Sequence, residues 1–264
     1  MTRLFIALKT LLLLSLSGSA TAELRLVSLT PAITETLMAF DLGEQIVGRD
    51  QASDGVNAPV VADYRQVNIE AVLALNPTHV IAWQDSLPAH LSQQLAAFDI
   101  PVLVSNTRTL QDWLNSSRDL EIALTGVSEH SDSWRVAFQQ LRNEYADSPP
   151  VNTLWLLWDR PLMVVGGVGY LNEAIQLCGG ENPYGDLALI GPTIDPESVI
   201  RSNVELIIGN PEWASLFAEY TEIPAIANQQ IWQPEGNSLA RPGPSLIDGL
   251  QQLCQRVDIT RKSL

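Results

Sequence analysis

The sequence predicts an α/β protein of two related lobes, each with a mostly parallel sheet flanked by helices, joined by one long α-helix. Three observations carry that prediction. Apolar strand-like runs alternate with helical segments along the chain, the pattern of parallel sheets covered by helices. A helix-then-strand unit recurs: Asn68-Ile-Glu70-Ala-Val72-Leu-Ala-Leu-Asn76-Pro-Thr-His-Val80-Ile81 sets beside Asp195-Pro-Glu197-Ser-Val199-Ile-Arg-Ser-Asn203-Val-Glu-Leu-Ile207-Ile208. Cap, first-turn Glu, apolar positions, helix-ending Asn and following strand fall at identical spacings. Between the copies lies Val127 to Ala146, where Trp134, Phe138, Leu141 and Tyr145 form one stripe and Arg135, Gln139, Arg142 and Asn143 occupy the other faces. That is an amphipathic helix. It reads as a connector between lobes; the plainer alternative is a surface helix of one large domain.

In chain order, Leu24 to Leu29 reads as a strand. Thr30-Pro31 opens a helix, since proline suits a first turn, and Ile33, Leu37, Met38 and Phe40 carry it to Gly43. Ile46-Val47 and Val60-Val61 are short strands. Asn68 caps a helix over 69–75 that Asn76-Pro77 ends, and His79-Val80-Ile81-Ala82-Trp83 is a buried strand. A helix over 87–98, a strand at Val102-Leu103-Val104, and a helix from the capping box Thr109-x-x-Asp112 to Thr125 complete the first half. Gly126 and Asp147-Ser148-Pro149-Pro150 bracket the central helix. The second half opens with a strand from Leu154 to Leu157, a loop from Trp158 to Gly169, and a helix from Leu171 to Leu177 running into Cys178-Gly179-Gly180-Glu181-Asn182. That last unit repeats Thr34 to Glu44, a short helix ending in Gly-Glu. A final helix covers 244–257. The expected organisation is a leader over 1–22, a lobe over 23–126, the connecting helix over 127–147 and a second lobe over 148–264.

Arg3 and Lys9 precede an apolar run that ends in small residues at Ala20 and Ala22, so the first 22 residues read as a secretory signal peptide cut near Ala22. The run is short for a membrane span, no second one follows, and no cysteine lies directly behind it. A soluble protein of a Gram-negative periplasm, without a lipid anchor, is expected. The formal net charge of −15 argues against a nucleic-acid partner, because phosphate binding relies on Lys and Arg. Small molecules and basic protein surfaces are the expected partners. In an oxidising compartment Cys178 and Cys254 read as a disulfide tying the helix that ends at Cys178 to the C-terminal helix; the alternative is two buried thiols. His79, His90 and His130 are scattered without ligand spacing, so no metal site is expected. After residue 22 there is no Gly-x-Ser-x-Gly elbow, and no Gly-x-Gly-x-x-Gly turn follows a strand. No catalytic residue is assigned, and the reading is that of a binding protein and not an enzyme.

The order of motifs along the chain resembles a known group. Leu26-Val27-Ser28-Leu29-Thr30-Pro31-Ala32 with Thr34-Glu35, then Gly43, Asn68-x-Glu70, Leu75-x-Pro77 and Ala82-Trp83, then Cys178-Gly179-Gly180-Glu181-Asn182 and Arg241-Pro242-Gly243-Pro244, are similar to class III periplasmic substrate-binding proteins. These serve ABC importers of cobalamin, haem and ferric siderophores, and the branch that receives vitamin B12 matches best. The resemblance implies two Rossmann-like lobes held by a rigid helix, a monomer, no resident cofactor, and cobalamin as transported ligand in the inter-lobe cleft. Cys178 and Cys254 match that branch's disulfide. The alternative ligand is haem or a ferric siderophore.

In such a fold the site lies beyond the carboxyl ends of the strands. Tyr64, Trp83 and Trp158 fall in loops at that edge, where an aromatic covers a flat macrocycle with few rotamers to freeze. The positions of Tyr64 and Trp83 match aromatic ligand contacts of the B12 receptors. Arg241, in a Pro/Gly-rich loop, suits a ligand amide or carboxylate. For each, the plainer role is packing or loop bracing. Ala52, Met163 and Gly191 stand where enterobacterial B12 receptors carry further cleft aromatics, and Arg-Pro-Gly-Pro is closer to siderophore and haem receptors. Glu70 and Glu197 each sit in a helix first turn, where a carboxylate suits the dipole. The resemblance implies that both dock onto arginines of the inner-membrane permease.

Overall fold

The structure, a computed structural model, describes residues 23–86 and 90–264. The expected leader over 1–22 and the first residues of the helix expected over 87–98 lie outside the described residues. Alternation of strand and helix gives the first half β1 (Leu26–Ser28), α1 (Pro31–Ala39), β2 (Ile46–Asp50), β3 (Val60–Ala62), α2 (Ile69–Ala74), β4 (His79–Trp83), α3 (Leu91–Ala96), β5 (Val102–Ser105) and α4 (Leu110–Thr125). The sequence caps act as read. Asn68 Oδ1 accepts from Ala71 N at 3.0 Å, Thr109 Oγ1 accepts from Asp112 N at 2.9 Å, and Gly126 closes α4 in the left-handed region. The five strands form one parallel sheet in the order β3-β2-β1-β4-β5.

The central helix α5 (Glu129–Tyr145) has 17 residues and so spans about 25 Å. Beyond it come β6 (Val151–Asp159), β7 (Leu162–Val164), α6 (Tyr170–Leu177), β8 (Gly180–Glu181), α7 (Pro196–Arg201), β9 (Leu206–Ile208), α8 (Pro211–Ala214), α9 (Pro224–Ala227), β10 (Ile231–Trp232) and α10 (Leu246–Ser263). The second sheet runs β10-β9-β6-β7. β9, β10 and β8 join in parallel, whereas β7 pairs antiparallel with β6 inside the region read as a loop over 158–169.

Both sheets are buried on two faces, because successive residues of a strand point to opposite sides. Val27, Val80 and Ala82 pack into one cluster and their neighbours Leu26 and Ile81 into another. In the second sheet Leu154, Leu156 and Ile207 face one cluster, and Trp155, Leu206 and Ile208 the other. The predicted stripe of α5 buries Phe138 and Leu141 fully and Trp134 in part. Trp134 touches a core cluster of each sheet and stacks between Phe40 (5.5 Å between centroids) and Trp113 (5.8 Å). Such pairs add about 0.5–1.5 kcal/mol each beyond area burial. At the start of α5 the Ser128 side chain makes no cap; instead the fully buried Glu121 of α4 accepts from His130 N (3.0 Å) and Ser131 N (2.8 Å). Cys178 and Cys254 are disulfide-bonded across a separation of 76 residues, joining the end of α6 to α10 as expected.

Candidate functional site

The strand order creates the site. The chain leaves β1 toward β2 and β3, then crosses over to place β4 and β5 on the other side of β1. At that reversal the connections leave the carboxyl edge in opposite directions and open a crevice. The loops there line a cavity of about 840 Å³: Leu29–Ala32 after β1, 50–52 at the end of β2, 63–67 after β3, and Trp83, Asp85 and Ser86 after β4. One residue from the other half of the chain, Arg241, completes the lining. The volume falls in the range of small-molecule sites.

Three of the four expected contacts therefore meet in one place. Trp83 ends β4, half-buried, paired in register with Ser105; its indole Nε1 is buried with no hydrogen-bond partner among the described residues. Tyr64 sits on a turn fixed by Asp63, whose Oδ1 accepts from Arg65 N (2.7 Å) and Gln66 N (2.9 Å). An Asx turn of this kind holds the backbone tightly, and Tyr64 projects from it 88% exposed. The Arg65 Nε donates to the Tyr64 hydroxyl at 2.6 Å. Arg241 reaches the cavity from the loop before α10, and no ion pair or side-chain hydrogen bond holds its guanidinium among the described residues. The fourth residue, Trp158, is not part of this lining. It stands at the end of β6, half exposed, with its ring 5.5 Å from Trp213 and its Nε1 donating to Arg160 O at 3.0 Å. Of the departures, Ala52 lines the cavity, while Gly191 packs near Leu157 and Met163, outside it.

Beneath the cavity lies a polar chain that sequence reading missed. Asp50, 5% exposed, accepts from Ala52 N (2.8 Å) and from the Ser53 hydroxyl. The Ser53 and Thr34 hydroxyls are 2.7 Å apart, and Thr34 Oγ1 donates to Ser28 Oγ at 2.8 Å. This network ties the β2 loop to α1 and β1, and so fixes the cavity floor. The signal for it was strand parity: Ile46, Gly48 and Asp50 share one face of β2, so a carboxylate at Asp50 points inward. Thr30, also buried and lining the cavity, has a hydroxyl without a partner among the described residues. The rim carries Asp63 and Asp85 against Arg65 and Arg241, a set suited to hydrogen bonding.

Glu70 and Glu197 occupy the first turns of α2 and α7, both exposed and without an ion-pair partner among the described residues. Among the described residues no group of three or more His, Cys, Asp or Glu side chains could hold a metal ion. His79, half-buried with Nδ1 3.1 Å from Thr78 Oγ1, has its pKa lowered by burial. No described helix is long and apolar enough to cross a membrane.

Comparison with known proteins gives concordant matches. Residues 26–232 match the model of the family described as periplasmic binding protein. A vitamin B12-binding protein of Vibrio vulnificus is 28% identical over 260 residues, covering 93% of this chain and 94% of the relative. One of Yersinia pestis is 29% identical, covering 94% and 91%. Among solved structures, the periplasmic vitamin B12 binding protein BtuF of Vibrio cholerae superposes with a TM-score of 0.78 at 26% identity, over 90% of this chain and 98% of that one. The periplasmic heme binding protein HutB of Vibrio cholerae gives 0.75 at 25% identity, over 89% and 98%.

Proposed function

The chain belongs to the periplasmic binding protein family, and from that membership we propose that it captures cobalamin or a related corrinoid in the cavity between its two sheets and delivers it to an ABC importer. The observation that carries this is the aromatic-rimmed cavity itself. Trp83 and Tyr64 present flat apolar area on one side, Arg241 reaches in from the other half of the chain, and the rim offers donors and acceptors for the amide groups of a corrinoid. The vitamin B12-binding relatives, matched over nine-tenths of the chain, support the same ligand. The protein acts in the periplasm after removal of residues 1–22, as a monomer of lobes 23–126 and 148–264 joined by 127–147, and it binds without turning its ligand over. Glu70 and Glu197, at matching positions of the two repeats, dock onto cationic residues of the permease; charge pairs of that kind guide encounter and set register.

A second reading, a haem receptor, is favoured by the near-equal likeness to the heme binding protein HutB and by Tyr64, whose oxygen belongs to a class of haem-iron ligand. Titration of intrinsic tryptophan fluorescence with cyanocobalamin, haemin and a ferric siderophore separates the readings. Saturable quenching by cyanocobalamin at micromolar or lower concentration, with the ligand recovered unchanged, is expected. Quenching by haemin alone transfers the assignment to haem.

A further inference from the structure

Arg241 is the one residue that the second half of the chain contributes to the cavity, and nothing grips its guanidinium among the described residues. Its position must come from its backbone. That backbone is Arg241-Pro242-Gly243-Pro244-Ser245, leading into α10. Two prolines fix φ at alternate positions and restrict the residue before each. The run therefore has few soft dihedrals. Arg241 N donates to Asn237 O at 3.0 Å on one side and Gly243 N to Arg241 O at 2.8 Å on the other, so an anchor at Ser245 sets Arg241 together with that preceding turn.

The anchor lies in the other half of the chain. Glu35 Oε1 accepts from Ser245 N at 2.7 Å, across a sequence separation of 210 residues. Ser245 is the N-cap of the 18-residue α10 and its own side chain makes no cap, so a carboxylate from α1 meets the positive end of that helix. The contact is close on the other oxygen as well. A Cβ on Gly243 would lie 2.9 Å from Glu35 Oε2, so a side chain there would push the carboxylate from its place. Glu35 stands one helical turn beyond Pro31 and Ala32, which line the cavity, so the carboxylate ties the arginine loop to the face of α1 that borders the site. A second bond between the halves, Leu110 N to Glu173 Oε2 at 2.7 Å, lies among residues that do not line this cavity.

We propose that Glu35 is a positioning residue for ligand capture: its carboxylate, bonded to the Ser245 amide, locks the Arg241–Ser245 loop against α1 and so places the Arg241 guanidinium in the cleft. This rests on the ligand reading above, and the test separates the two. In the unliganded protein, hydrogen exchange at the Ser245 amide, which donates to Glu35, should accelerate about tenfold or more in Glu35→Ala, as expected for loss of a charge-assisted bond, and less in Glu35→Gln, which keeps an acceptor oxygen. Cyanocobalamin affinity should fall about tenfold in both Glu35→Ala and Arg241→Ala, with no further loss in the double variant. Glu35→Gln should recover most of the affinity. Glu173→Gln, which perturbs the other bond between the halves, should leave affinity unchanged. Wild-type exchange rates in Glu35→Ala, additive losses in the double variant, or an equal loss in Glu173→Gln would overturn the proposal. A wild-type protein that ignores cyanocobalamin overturns the ligand reading instead, and the exchange rates still decide whether Glu35 holds the loop.

Discussion

Glu121 shows how strongly the central helix is fixed, and replacing it gives a quantitative test. The side chain is 0% exposed, and its two oxygens divide between His130 N at 3.0 Å and Ser131 N at 2.8 Å, with the Ser131 hydroxyl as a third donor. Glu121→Ala strands two backbone amides at the start of α5, that of the buried Ser131 and that of the half-buried His130. Each orphaned donor costs about 1–3 kcal/mol. The hydroxyl turns to Ser128 O, already 3.3 Å away, and so adds little. Relief of carboxylate desolvation offsets part of the sum, leaving a net loss of about 3 kcal/mol. For a protein of this size that is a fall in Tm of about 6–12 °C. Glu121→Gln retains one acceptor for two amides and should lose about half as much. Differential scanning calorimetry measures both. A Glu121→Ala midpoint within about 2 °C of wild type would show that the amides find other partners and that the buried cap is not what fixes the helix start.

Three further outcomes follow from the same reasoning. Cys178→Ser with Cys254→Ser opens a 76-residue loop, for which chain entropy gives up to about 4.5 kcal/mol; urea unfolding should show most of that loss, and an unchanged midpoint would contradict it. Burial pushes the Tyr170 phenol, which donates to Leu239 O at 3.1 Å, up to about 12 from its ordinary 10.0. Because the folded value is the higher, this stabilisation is complete below pH 10 and disappears as pH rises toward 12, so a tyrosinate absorbance titration should show a late component that Tyr170→Phe removes. Glu70→Ala with Glu197→Ala should leave ligand affinity intact and abolish stimulation of the importer's ATPase; normal stimulation by the double variant would refute the docking role.

Much of the fold was legible because it rests on local chemistry. Asn68 and Asp195 cap the helices they were read to cap, with Asp195 Oδ1 accepting from Glu197 N at 3.2 Å, and β4 has the bounds its apolar run gave. What escaped was short or long-range. The four-residue helices α8 and α9 and the two-residue β10 contain too few positions to express a period. The hairpin strand β7 is three residues set between turns, so its pairing with β6 looked like loop. In the site, Tyr64 and Trp83 could be placed because aromatics outside periodic runs stand out. Trp158 shows the same signal, yet it packs near Trp213, a neighbour 55 positions away that no spacing rule connects. Glu35, Glu121 and Glu173 were invisible as anchors, since a carboxylate that reaches a distant helix start reads in one dimension like any solvated Glu.

The most direct measurement is a crystal structure of the complex grown with cyanocobalamin. The corrin should lie between the two sheets, against Trp83 and Tyr64, with an amide of the ligand bonded to Arg241 in the position Glu35 sets. A corrinoid bound away from that cavity, or crystals that exclude it from a cleft left open, would refute the proposed capture site.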